Sequence, residues 1–199
     1  MSDFALIIIV IFVIVLFSLG FILLGFNGFH IESPEKRAGR YGEIFAGKII
    51  RETLNEDDFL LTNVKISADD KQTELDNVVI NQNGVFIIEV KNYSGQLIGD
   101  EDDSDWIKNK ITPGGNFFQK EVRNPIKQVK RQIYILSRLF KENDINVWIE
   151  GYVFLVERNS PVRSTYILDS QYDINRAVHT RKSKRISKET MEKIVSILS

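Results

Sequence analysis

Glu89-Val90-Lys91 closes the apolar run Val85-Phe86-Ile87-Ile88, and Asp76 lies in the run just before it. Two carboxylates and a lysine on neighbouring strands are the side chains that metal-dependent phosphodiester hydrolysis uses. Carboxylate oxygens suit a hard cation such as Mg²⁺, which keeps some waters and takes one or two protein carboxylates plus a phosphate oxygen. Such a cation activates water and screens charge on the phosphate, while an ammonium like that of Lys91 orients the water or stabilises the charge. The plainer reading is a surface ion pair beside a strand, because a carboxylate two residues before a lysine is a common pattern.

These side chains need a hairpin to bring them together. Val78-Val79-Ile80 and Val85 to Val90 are β-branched or aromatic-rich, and Asn81-Gln82-Asn83-Gly84 between them is a turn cluster. If Ile80 faces Val85, Asp76 faces Glu89. If Asn83-Gly84 is instead the tight turn, Asp76 faces Lys91 and Val78 faces Glu89. Side chains alternate with period two and opposed residues share a face, so either register predicts Asp76, Glu89 and Lys91 on one face. Only a bulge or an odd loop separates them.

The run from Thr73 through Asp76, Asn81-Gln82-Asn83-Gly84 and Glu89-Val90-Lys91 to Gly95 resembles the core of the nuclease-related domain, NERD. Upstream, Gly39-Arg-Tyr-Gly-Glu43 is similar to that family's Gly-x-x-Gly-Glu helix. Downstream, Asn124-Pro-Ile-Lys-Gln128 is similar to its Asn-Pro-x-x-Gln helix. The resemblance covers about residues 37–156 and implies a restriction-endonuclease-like fold with a PD-(D/E)xK site. It implies Asp76 and Glu89 as metal ligands and Glu43 as a further acidic ligand of the site. Lys91 becomes the water-orienting base or charge stabiliser, and Gln128 a neighbour of the metal or of a DNA phosphate. The implied cofactor is Mg²⁺, with Mn²⁺ as a substitute. Asn77 departs from the pattern, standing where many members carry His, and no role passes to it.

Two of these residues also have ordinary readings. Glu43 begins an amphipathic stretch and reads by itself as a solvated helix residue. Gln128 lies on a helix expected over residues 125–140, beside an apolar stripe of Ile126, Val129, Ile133, Leu136 and Phe140. Pro125 fits the first turn of that helix, where its missing N–H has no partner to lose.

Residues 4–26 form an uncharged, almost wholly apolar run. At about 1.5 Å per residue it is long enough for the roughly 30 Å hydrocarbon core, so a single transmembrane helix is expected. A cleavable signal peptide has a basic start and a shorter apolar core, unlike this run. Lys36, Arg37, Arg40, Lys48 and Arg51 follow the run and no Lys or Arg precedes it. The positive-inside rule then places the C-terminal domain in the cytoplasm.

The organisation read from this pattern is an anchor and the start of a linker at 1–30, then one nuclease-related domain at 31–199. Residues 27–35 read as the linker. Beyond it come a helix near 40–54, a strand near 59–66, the hairpin, and a short strand at 96–98. An acidic turn at 100–105, Trp106 on a short strand, the helix at 125–140, a strand at 147–156 and a final helix at 187–198 complete the chain. The fold class is α/β, a mixed sheet flanked by helices. The acidic turn lacks EF-hand spacing and reads as a solvated loop. There is no cysteine, which excludes disulfides and thiolate zinc sites.

The net charge of −1 gives no bulk positive potential for nucleic acid. A basic tract at 176–188 is the local exception, suited to DNA phosphates or to anionic lipid, or else a solvated tail. Two functions follow. One is a membrane-anchored, Mg²⁺-dependent nuclease acting on DNA. The other is a non-catalytic module of the same fold that binds nucleic acid or a protein partner at the membrane.

Overall fold

The structure, a computed structural model, describes residues 10–16 and 32–199. Residues 10–16 are helical (α1); the remainder of the expected span at 4–26 lies outside the described residues. Among the described residues no helix is long and apolar enough to cross a membrane. The chain divides into two units after Pro34, and the second, Glu35–Ser199, holds both sheets.

Helix α2 (Pro34–Thr53) begins earlier than the expected 40. Pro34 and Glu35 belong to its first turn rather than to the linker expected at 27–35. A proline at the first helical position loses no hydrogen bond, and an acidic residue there suits the helix dipole.

Five strands form the main sheet in the order β1-β2-β3-β7-β8: β1 (Phe59–Ala68), β2 (Lys71–Asn81), β3 (Gly84–Lys91), β7 (Ile149–Leu155) and β8 (Ile167–Leu168). The first three are antiparallel neighbours, whereas β7 runs parallel to β3 and β8 parallel to β7. The sheet is therefore mixed, as expected. Strand β3 is central and buried along both faces, which explains its unbroken apolar run. On one face Val85 and Ile87 join a core with Ile135, Leu136 and Phe140 of α3 (Pro125–Glu142) and Met191 and Ile194 of α5 (Lys188–Leu198). On the other, Phe86, Ile88 and Val90 pack with Ala46 and Ile50 of α2 and Ile174 and Val178 of α4 (Gln171–His179). Helices thus cover both faces.

The hairpin takes the first of the two registers, with Ile80 opposite Val85 and Asn81 opposite Gly84. The turn residues are Gln82 and Asn83, and the Asn83 N–H donates to Asn81 Oδ1 at 2.9 Å. Gly84 has φ of 147°, and a Cβ there would lie 2.6 Å from the Trp148 carbonyl oxygen, so only glycine fits.

Strict alternation fails at the site end of β2. Leu61 and Val78 lie on the same core as Val64 and Leu75, although two residues separate them on each strand. Asn63, with φ of 54°, and Asp76 are the unpaired positions in this otherwise continuous ladder. Asparagine tolerates the left-handed conformation, so the two strands shift face together by one residue there. The expectation that period two alone places Asp76 beside Glu89 and Lys91 is corrected by this irregularity.

A second sheet holds β4 (Gln96–Ile98), β5 (Asp105–Ile111) and β6 (Phe117–Arg123). Its base buries Leu97 and Trp106 against Ile126, Val129 and Val153. Strands β6 and β8 and helix α4 are absent from the expectations above. Every residue of β6 except the partly covered Val122 is exposed, so it carries little apolar alternation to read.

Candidate functional site

Glu89 is the centre of the site. It is a charged residue with 2% of its surface exposed, at the end of the central strand. A carboxylate so placed needs partners for its charge. Oε1 accepts from Lys91 Nζ at 2.6 Å and from Gln128 Nε2 at 2.6 Å, and Oε2 accepts from Gln132 Nε2 at 2.7 Å. Burial works against the Lys91 charge, but the Glu89 carboxylate outweighs it and leaves the Lys91 pKa raised.

Both glutamines come from α3, one turn apart, so one helix face delivers two amides to one carboxylate. The Asn-Pro-x-x-Gln motif fixes that face. Asn124 caps the helix by accepting from the Ile126 N–H at 2.9 Å, and its Nδ2 reaches the carbonyls of Asp100, Glu101 and Asp103. The acidic turn is thereby tied to the helix start through its backbone, with Trp106 Nε1 donating to Asp100 O at 2.9 Å. Gly151 of β7 lets α3 sit close: a Cβ there would meet Val129 Cγ1 at 2.4 Å.

Gln132 was not among the expected site residues. It is wholly buried, and its Nε2 also donates to Glu74 O at 3.0 Å. Both neighbours are acceptors, which dictates the amide orientation and leaves Gln132 Oε1 buried without a donor among the described residues. Its signal in the sequence was a polar residue three positions after Val129, inside the apolar stripe.

Asp76 reaches the site from the plane of the sheet. The β2–β3 ladder ends at Asn77 opposite Ile88, and beyond it Asp76 Oδ2 accepts the Val90 N–H at 2.8 Å. Burial and then the Glu89 charge push the Asp76 carboxyl up to about 7, against the opposing pull of the Val90 N–H and Lys91, with Glu43 adding a small upward push. Asn77 is buried and donates to Ile88 O at 3.4 Å, a contact within the sheet.

Glu43 is exposed on α2 and lines, with Arg40, Asn63 and Asp76, a cleft of about 470 Å³. Gly42 explains part of its motif, since a Cβ there would lie 2.5 Å from Asn92 Cβ, where Asn92 donates to Ala38 O at 2.8 Å. A Cβ on Gly39 would meet nothing, and the structure shows no reason for that glycine. Among the described residues no three His, Cys, Asp or Glu side chains form a group able to hold a metal, so Glu43 does not complete a carboxylate trio with Asp76 and Glu89.

The remaining pair nonetheless suits a hard divalent cation, which needs only one or two protein carboxylates. Asp76 Oδ1 accepts no hydrogen bond from the described residues, Glu89 Oε2 accepts one, and Gln132 Oε1 is an oxygen without a donor. Burial first, and the Glu89 charge second, hold the Asp76 pKa up, and the Val90 N–H and Lys91 do not offset them.

Comparison with known proteins supplies the context. The family of the nuclease-related domain matches residues 38–156. An uncharacterized protein of Bacillus anthracis is 25% identical over 122 residues, which cover 61% of this chain and 55% of that protein. The chain thus spans little more than half the length of that relative. No solved structure matches the chain.

Proposed function

This chain belongs to the nuclease-related domain family, a family of the PD-(D/E)xK kind, and on that premise we propose a membrane-anchored, Mg²⁺-dependent nuclease that hydrolyses phosphodiester bonds of DNA. The observation that carries this reading is the buried Glu89 carboxylate, held by Lys91, Gln128 and Gln132 next to a second carboxylate, Asp76. Structural ion pairs seldom need two amides and an ammonium on one acid beside another acid; sites that handle charge do.

Asp76 and Glu89 would hold the cation. When bound, it supplies Lewis acidity toward a phosphate oxygen and lowers the pKa of water. Lys91 orients the attacking water or steadies the developing phosphate charge. Gln128 and Gln132 keep the Glu89 carboxylate in one orientation, and the domain of restriction-endonuclease-like fold holds them. Glu43, which lines the same cleft as Asp76, steers the approach of cations. Residues 4–26 anchor the domain to the bilayer on its cytoplasmic side.

The test is cleavage of DNA and RNA substrates by the purified full chain with Mg²⁺, with Mn²⁺ and with chelator, comparing wild type with Glu89→Gln. Equal behaviour of the two proteins on every substrate removes the nuclease reading. One observation favours the second reading, a non-catalytic binding module: the Lys91–Glu89 ion pair at 2.6 Å is already satisfied within the chain. In that case Glu89→Gln leaves binding to nucleic acid or to a partner intact.

A further inference from the structure

The β5–β6 hairpin extends the small sheet past its packed base. Opposed residues of antiparallel strands share a face. Trp106 faces Val122 in the buried base, and two residues further out Lys108 faces Lys120, then Lys110 faces Phe118. One face of the hairpin therefore carries three lysines and a phenylalanine, and Phe118 is 57% exposed. On the other face Ile111 pairs with Phe117, and Glu121 and Gln119 stand where the lysines stand on the first.

Two features of the lysine face point to an anionic ligand. Lys108 and Lys120 are directly opposite one another, a like-charge pair that weakens a hairpin unless an anion lies between them. Acidic neighbours do little to relieve it: Lys120 Nζ lies 3.9 Å from Glu35, and both side chains are largely exposed. The stripe also leads to the site. Lys108 Nζ sits 5.8 Å from the Tyr93 ring centre, and Tyr93 is two residues beyond Lys91 and within reach of its charge.

We propose that the Lys108, Lys110, Lys120 and Phe118 face of the β5–β6 hairpin binds single-stranded nucleic acid, the lysines along its phosphates and Phe118 stacked on one base, and so feeds the strand toward Lys91 and Glu89. An aromatic among cations is the pattern of sequence-tolerant single-strand binding, because every unpaired base offers a π-face. A duplex keeps its bases stacked on one another and has none to offer Phe118. The inference rests on the nuclease reading for the direction of the strand, but not for the binding itself.

The test uses the full chain in neutral detergent, with chelator present so that binding is read without hydrolysis, and follows the anisotropy of labelled oligonucleotides. Phe118→Ala is expected to weaken single-strand binding about tenfold and Phe118→Trp to preserve it. Replacing the three lysines by Gln is expected to reduce the slope of log affinity against log salt by about 2, at roughly 0.7 per phosphate contact. Phe117→Ala, on the opposite face of the same turn, is expected to change neither. Unchanged affinity in the Phe118→Ala and lysine variants overturns the proposal. So does an equal loss from Phe117→Ala, or an equal loss on duplex. Micelles doped with phosphatidylserine form the other arm: substitutions that weaken attachment there while sparing the oligonucleotide assign the face to lipid and overturn it as well. A wild type that binds as expected but cleaves nothing with Mg²⁺ retains this inference and loses the catalytic one. Cleavage alongside hairpin variants that bind like wild type does the reverse.

Discussion

Gln132 donates to Glu89 Oε2 at 2.7 Å from inside an otherwise apolar helix face, so a neutral amide shares the work of holding a buried charge. Removing it leaves the carboxylate with one partner fewer. Gln132→Met is expected to lower stability by about 1–3 kcal/mol, the range for losing a hydrogen bond to a buried charged group. A double-mutant cycle with Glu89→Gln, followed by chemical denaturation, checks this through the coupling between the two positions. Strictly additive losses would show that the two side chains do not depend on one another.

Asp76 makes stability fall as pH rises. Its folded pKa, about 7, lies above the unfolded value near 3.9, so the folded state holds more protons between those limits. The stability it contributes is full below about pH 4 and lost as pH passes 7. Asp76→Asn is expected to remove this slope and to stabilise the metal-free protein at pH 8 by a few kcal/mol. Melting curves from pH 4 to 8 for both proteins measure it, and parallel profiles would disprove the assignment.

Lys91→Ala is expected to lower cleavage about 10² to 10³-fold, the effect of removing one donor from developing charge. It also leaves Glu89 buried with amides alone, so a stability loss of about 3 kcal/mol accompanies it. Metal affinity measured by calorimetry should not fall, since the ammonium is not a ligand. A fall in affinity together with turnover would make Lys91 a structural support of the metal site instead.

Gly151→Ala tests how tightly α3 must sit. Its Cβ would meet Val129 and Ile133, forcing the helix outward or the side chains off their rotamers. A loss of about 1–3 kcal/mol is expected. Because Gln128 and Gln132 ride on the same helix, cleavage at a temperature where the variant is fully folded should fall too. Full activity in a destabilised variant would separate packing from the site.

A reporter fused after Ser199 should be protected from external protease in intact cells, as the lysines and arginines after residue 26 predict. Digestion without lysis reverses the proposed orientation.

The hairpin was readable because the turn cluster at 81–84 and the apolar runs beside it leave two registers, and the one adopted keeps Ile80 against Val85. Helix α3 was readable for the same reason, its stripe of Ile126, Val129, Leu136 and Phe140 being buried. Lys91 and Gln128, both singled out from the sequence, donate to the Glu89 carboxylate. What escaped was whatever periodicity does not encode. Strand β6 is exposed nearly throughout and shows no apolar face. Gln132 looked like an interruption of the stripe, and its meaning depends on Glu89, 43 residues away. The face shift at Asn63 and Asp76 depends on one left-handed backbone position, which asparagine permits but does not announce.

That shift also gives the domain a built-in gauge. Where the ladder would have covered it with a main-chain carbonyl, the Val90 amide proton is held by the Asp76 carboxylate. Its nuclear resonance frequency and its exchange with deuterium therefore follow the state of one side chain. Protonation of that carboxylate, or its capture by a cation, alters a backbone signal at the end of an otherwise fixed strand, and a spectrum of isotope-labelled protein can record occupancy of the site without any substrate.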